Sequence, residues 1–132
     1  MIVNGKEIFL SQGSKNYNLG FKAELVINKY LPNSILCREI DLVWRGLRIE
    51  IKATTKTVGN SFLFSRPGND PDFTIFVGFE KDYQTVRYIW IINRKKLKKR
   101  APKTNRISLN TKSGTAEFLV KDIYKLSDYL IV

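Results

Sequence analysis

Asp41, Glu50 and Lys52 are the residues of this sequence whose types and spacing could do chemistry, and the chemistry is metal-assisted hydrolysis of a phosphodiester. That reaction needs a divalent cation to polarise the phosphoryl oxygen, a water acidic enough to attack, and relief of the charge that develops. Hard cations such as Mg2+ take oxygen ligands, which Asp41 and Glu50 supply. Lys52 stands two residues beyond Glu50, so in an extended strand it shares that face, where its ammonium orients or deprotonates the water or offsets charge on phosphorus. Glu24, upstream in GFKAE, offers a further ligand, directly or through water. Glu39 competes with Asp41 because the two share a strand face; Asp41 is preferred as the one nearer the turn.

These residues need a helix and a hairpin to hold them. Leu19, Ala23, Val26, Ile27, Tyr30 and Leu31 recur at helical spacing before Pro32-Asn33 ends the run, which predicts an amphipathic helix carrying Glu24. Residues 35–44 and 47–54 are β-rich runs joined by Arg45-Gly46, and they are expected to pair. In LRIEIKAT the alternation sends Leu47, Ile49 and Ile51 to a core face while Arg48, Glu50 and Lys52 take the other. Further strands are expected at 61–65, 73–79 and 86–92, the last two central in the sheet because they are nearly continuously apolar. RPGNDPD between the first two reads as a loop. Asn93 is placed to cap a short basic helix that Pro102 stops, and Ile123, Leu126, Tyr129 and Leu130 predict a final helical turn or two.

Composition narrows the alternatives. The chain has no histidine, which removes serine–histidine and cysteine–histidine nucleophiles and histidine metal sites. Its one cysteine, Cys37, forms no disulfide or CxxC site within a chain, suits a reducing cytoplasm and is expected in the core. No segment approaches the roughly 18 to 20 apolar residues of a membrane span, so no membrane partner is expected. The net charge is +11, with +5 over residues 1–66 and +6 over 67–132, so the excess is spread over the fold and calls for a polyanion, DNA above all.

Gly20-x-x-x-Glu24 on a first helix, then Asp41, then Glu50-Ile51-Lys52 resembles the PD-(D/E)XK nuclease signature. That family sets a helix glutamate ahead of a β-hairpin carrying Asp and (D/E)-x-K, with apolar flanks such as Ile40, Leu42, Val43, Ile49 and Ile51 here. The resemblance covers about residues 19–97, including the strands in PDFTIFVGF and YIWIINRKKL. It implies an α/β restriction-endonuclease-like fold, a central mixed β-sheet flanked by helices in a single domain over 1–132. It also implies a Mg2+-dependent DNA endonuclease, with Mn2+ able to substitute. Asp41, Glu50 and the Ile51 backbone carbonyl would be the metal ligands, with Glu24 joining them directly or through water. Ile40 stands where the family often has proline, and the helix usual between the third and fourth strands has no clear counterpart in EKDYQT.

The run 94–106 holds Arg94, Lys95, Lys96, Lys98, Lys99, Arg100, Lys103 and Arg106 with no acid, and phosphate contact is the expected role, against a solvated helix face. Lys56 and Arg66 flank the acidic face as further backbone contacts. Tyr83, Tyr88 and Trp90 precede the run, but aromatic residues on strands are more often core than base-stacking platforms. Substrates compatible with the sequence are a restriction or homing site, a four-way junction, and a damaged or branched end. A homodimer is expected, since one chain holds one site and a duplex has two strands. The alternative is a non-catalytic nucleic-acid-binding module with a nuclease-like fold, which the intact acids disfavour; no RRM, KH or cold-shock motif points to RNA.

Overall fold

Asn18 lies in extended backbone and its side chain accepts the Phe21 amide hydrogen at 2.8 Å, satisfying a donor that every helix start leaves open. Helix α1 (Leu19–Tyr30) follows and buries Ala23, Val26 and Ile27 along one stripe. The structure is a computed structural model describing residues 1–7, 18–37, 40–100, 105–110, 117–118 and 120–131.

In chain order the strands are β1 (Ile2–Val3), β2 (Lys6–Glu7), β3 (Ile35–Leu36), β4 (Leu42–Trp44), β5 (Leu47–Thr54), β6 (Thr57–Val58), β7 (Ser61–Ser65), β8 (Phe73–Phe79), β9 (Val86–Asn93), β10 (Arg106–Leu109) and β11 (Glu117–Phe118). Helix α2 (Arg94–Arg100) follows β9, and a 3-10 segment (Val120–Tyr129) follows β11. Six strands form a sheet in the order β11-β9-β8-β5-β4-β3, in which β5 and β8 run parallel and the other pairs antiparallel. The result is a mixed α/β fold. Strand β8 is buried at every residue, as a central apolar strand should be. No helix among the described residues is long and apolar enough to cross a membrane.

Three features differ from the sequence-based expectations. The run 35–44 is not one strand: β3 folds back on β4, pairing Ile35 with Val43 and Leu36 with Leu42. Arg38, Glu39 and Asp41 break its apolar pattern, and the Cys37 amide closes the reversal on the Asp41 carbonyl at 3.1 Å. Cys37 is consequently half-buried at that reversal rather than in the core. Strand β7 belongs to a separate sheet of order β10-β7-β6. Residues 80–85, where the sequence offered no clear helix, make a tight turn, with the Asp82 carboxylate accepting from the Gln84 and Thr85 amides.

Two cores lie on opposite faces of the main sheet. Ile49, Ile51, Ile75 and Val77 pack with α1 and with Ile123 and Leu126 of the 3-10 segment, while Tyr129 stays exposed. Phe76, Trp90 and Ile92 pack beneath Phe62, Phe64 and Ile107 of the small sheet. Parallel register sets Glu50 beside Thr74 and Lys52 beside Phe76, so both charged residues share the face of this second core.

Candidate active site

The site begins where β4 ends. Arg45 and Gly46 both have positive φ, 49° and 78°, the two-residue turn that matches strand twist, and it sets the register Trp44↔Leu47 and Leu42↔Ile49. Continued by two residues, that ladder would place residue 40 opposite Ile51. Instead the Asp41 carboxylate accepts the Ile51 amide hydrogen at 2.6 Å. N–H and C=O of one strand residue project to the same edge, so the Ile51 carbonyl leaves β5 on the side where Asp41 stands.

Glu24 reaches this point from α1, at the margin of its buried stripe. Its carboxyl hydrogen-bonds that of Asp41, and burial first, then that bond and the Asp41 charge, push its pKa up to about 8. Glu50 is raised as well, chiefly by burial and further by Asp41; Lys52 and the Gly68 backbone oppose the shift. Lys52 Nζ lies 3.5 Å from Glu50 Oε1. Glu50 Oε2 is buried without a hydrogen-bond partner among the described residues. Glu24 thus adjoins Asp41, the Asp41 charge reaches Glu50, and Glu50 pairs with Lys52, a chain of neighbours drawn from one helix and one hairpin. Glu39 lies outside the described residues.

Among the described residues no three acidic or cysteine side chains already converge as a cage for an ion. The donors nevertheless fit a divalent cation of the Mg2+ type, which binds through one or two carboxylates, a few waters and substrate phosphate rather than an all-protein cage. Glu50 Oε2 is an unmet acceptor, and all available donors are oxygens.

The basic residues divide into two groups. Asn93 caps α2 by accepting the Lys96 amide hydrogen at 2.8 Å, and Lys95, Lys96 and Lys99 are exposed. Arg94 and Lys98 do not project freely as the run alone suggests: Arg94 meets Asp72 at 3.0 Å, and both reach Asp70. Asp70 and Asp72 lie more than twenty residues upstream, so the acid-free run gives no sign of them. The Arg100 guanidinium donates to the Ser108 carbonyl at 3.2 Å. Lys56 and Arg106 border a cavity of about 260 Å3 with Phe64 and Asn105, and the Arg66 amide bonds the Asn105 carbonyl at 3.0 Å. Lys103 lies outside the described residues. Trp90 is fully buried and Tyr88 half-buried, which removes Trp90 as a stacking platform; Tyr83 sits in the 80–85 turn, on the strand end away from α2.

Two participants escaped the sequence. Gly68 touches Glu50 through its backbone, for which the only signal is a glycine in a loop near the motif. Lys22 is 3% exposed and donates to the Tyr83 carbonyl at 3.0 Å, tying α1 to the far turn of the sheet. No protein-family model and no curated protein matches the chain.

Proposed function

We propose that the chain is a metal-dependent DNA endonuclease with a restriction-endonuclease-like fold, acting as a homodimer. The observation that carries this reading is the Asp41 carboxylate, held on the Ile51 amide at the fork of the hairpin with Glu24 bonded to it. A structural core has no use for two carboxyls in contact and a third carboxylate with an unmet oxygen, since each is costly to bury. The first helix and the mixed sheet, with the acids on its antiparallel hairpin, support the finer fold assignment.

Asp41, Glu50 and the Ile51 carbonyl would hold Mg2+ or Mn2+, with Glu24 alongside. A divalent cation bound there supplies Lewis acidity and a water of lowered pKa. Lys52 is held by Glu50 at 3.5 Å, which points its ammonium along the acidic face, where it orients the attacking water and offsets charge developing on the phosphate. Glu24, holding a proton at neutral pH in the metal-free protein, fixes the Asp41 carboxylate. Lys95, Lys96 and Lys99 supply sequence-independent attraction for the DNA backbone.

The test is incubation with supercoiled plasmid, linear duplex and a synthetic four-way junction, each with Mg2+ and with EDTA. Cleavage of any of them that requires Mg2+ and disappears in Lys52→Ala supports the reading, and the pattern among substrates names the class. Tight DNA binding with no cleavage in Mg2+ or Mn2+ would establish a non-catalytic binding module instead.

A further inference from the structure

The sheet face that carries Glu50 and Lys52 continues past them. Parallel register sets Lys52 beside Phe76 and Thr54 beside Gly78, and antiparallel register sets Phe76 beside Trp90 and Gly78 beside Tyr88. Tyr88 therefore stands one row of side chains beyond Lys52 on the same face. Two residues along a strand and two strands across amount to about 7 Å and about 10 Å, which sets Tyr88 roughly 12 Å from Lys52. Gly78 interrupts an otherwise bulky apolar strand, and a Cβ there would lie 3.0 Å from the Phe62 ring, closer than such atoms ordinarily pack. Its missing side chain lets β7 settle on the sheet at this row. A cleft is left between Phe62, Tyr88 and the turn that joins β6 to β7.

The cleft holds about 140 Å3, enough for one six-membered ring, and Thr57, Gly59, Asn60 and Arg87 complete its lining. Its flanks are aromatic: Tyr88 lies 6.3 Å from Phe62, edge to face at 71°, and 5.6 Å from the fully buried Trp90, which backs it. Thr57 and Asn60 bring a hydroxyl and a carboxamide to an exposed rim. The Arg87 guanidinium stands 5.6 Å from the Tyr88 ring centroid and 5.9 Å from that of Phe62, within cation–π range but beyond the about 4 Å of packed atoms. Its ion pair with Glu80, at 3.7 Å between two half-exposed side chains, is of the weak surface kind, so Arg87 is able to lift and cover a ring laid on Tyr88. An aromatic face, a planar cation and an amide beside a space for one ring match a nucleobase, which has π faces and a hydrogen-bonding edge. A paired base has both faces stacked and that edge engaged, so only an unpaired base offers them together.

We propose that this cleft is a nucleobase pocket: an unpaired base, a few nucleotides from the bond to be cut, stacks on Tyr88 beneath Arg87 and meets Thr57 and Asn60 with its edge. The substrate is then a DNA that carries unpaired bases, such as a flap, bulge or branch, rather than a continuous duplex. The distance to a scissile bond rests on the nuclease reading; recognition of the base does not require cleavage.

The test measures binding in Ca2+ to a synthetic duplex with a short single-stranded flap and to the same duplex with an abasic flap that keeps every phosphate. A fluorescent base analogue that dims on stacking is placed at successive flap positions. Wild type is expected to bind the base-bearing flap at least about 5-fold tighter than the abasic one, the lower end for one base stacked on an aromatic ring, and to dim the analogue at one position. Tyr88→Leu is expected to erase that ratio while leaving abasic affinity unchanged, since no charge is lost, and Arg87→Gln to shrink it. Equal affinity of the wild type for the two flaps overturns the pocket, a result that needs no variant and so does not depend on how well Tyr88→Leu folds. A ratio kept intact by both variants also overturns it, and free thymidine monophosphate bound as tightly as the flap would assign the cleft to loose nucleotides instead. Mg2+-dependent cleavage without discrimination between the flaps leaves the nuclease and removes the pocket. Discrimination without cleavage in Mg2+ or Mn2+ leaves the pocket and removes the nuclease.

Discussion

The Asp41 carboxylate accepts the Ile51 amide hydrogen at 2.6 Å, occupying the place of the backbone carbonyl that a longer β4 would present. One side chain thereby ends a strand pairing and begins a site. Asp41→Asn keeps an oxygen acceptor for Ile51 but loses the charge, so stability should change by less than about 1 kcal/mol. Cleavage should fall at least about 100-fold, the scale of losing one electrostatic contributor. Asp41→Ala leaves the Ile51 donor unmet at a partly buried position and should destabilise by about 1 to 3 kcal/mol. Denaturant midpoints and plasmid nicking measure the two effects, and equal stability losses in both variants would show that the bond does not hold the fork.

The metal-free protein should lose stability as pH rises. Glu24 titrates near 4.5 when unfolded and is pushed up to about 8 in the fold, so between those values the folded state holds more protons than the unfolded one. The slope of unfolding free energy with pH is then negative: the contribution is complete below the unfolded pKa and is lost as pH passes the folded one. Glu50, also raised, acts in the same direction. Glu24→Gln should flatten the fall measured by denaturant midpoints from about pH 5 to about pH 8 in EDTA. An undiminished fall in that variant would assign the dependence to other groups.

Strict alternation in LRIEIKAT made β5 legible, because period two places Glu50 and Lys52 opposite a core of Ile49 and Ile51 with no tertiary information. The α1 stripe and the Asn93 cap were legible for the same reason: capping and periodicity are local. The reversal between Leu36 and Leu42 was not, since a β-rich run of ten residues does not say where it turns. The pairing of Arg94 with Asp72 and of Lys98 with Asp70 was hidden by more than twenty residues of separation. The small sheet was hidden too, as β10 pairs with β7 across more than forty residues, with Arg106 opposite Ser65.

Mg2+ and Mn2+ should support cutting, while Ca2+ permits DNA binding without efficient cleavage, because it coordinates oxygen loosely and acidifies bound water less. Glu50→Gln should raise the Mg2+ concentration needed for half-maximal activity, since it removes the carboxylate whose Oε2 is unmet. Full activity after exhaustive dialysis against EDTA would contradict the metal requirement, and a metal dependence untouched by Glu50→Gln would move the ion elsewhere.

Catalysis and binding should separate by residue. Lys52 is tied to Glu50 at 3.5 Å inside the acidic site, so Lys52→Ala should abolish cutting while DNA affinity changes little. Lys95, Lys96 and Lys99 are exposed on α2 and have no ion pair with any described acid, so they are free to displace counterions from DNA. Each phosphate contact removed should flatten the slope of log K against log[salt] by about 0.9, which limits the triple replacement with alanine to about 2.7. Lys98 belongs to a different class, because it already holds Asp70: passing it to a phosphate leaves that carboxylate to attract a cation, which offsets part of the counterion release, and Lys98→Ala should flatten the slope less than any of the three. Salt titrations in Ca2+, with cleavage followed separately in Mg2+, measure both halves. A slope unchanged in the triple variant would move the DNA surface from α2 to the Lys56 and Arg106 side of the small sheet, and wild-type cutting by Lys52→Ala would remove that lysine from the reaction.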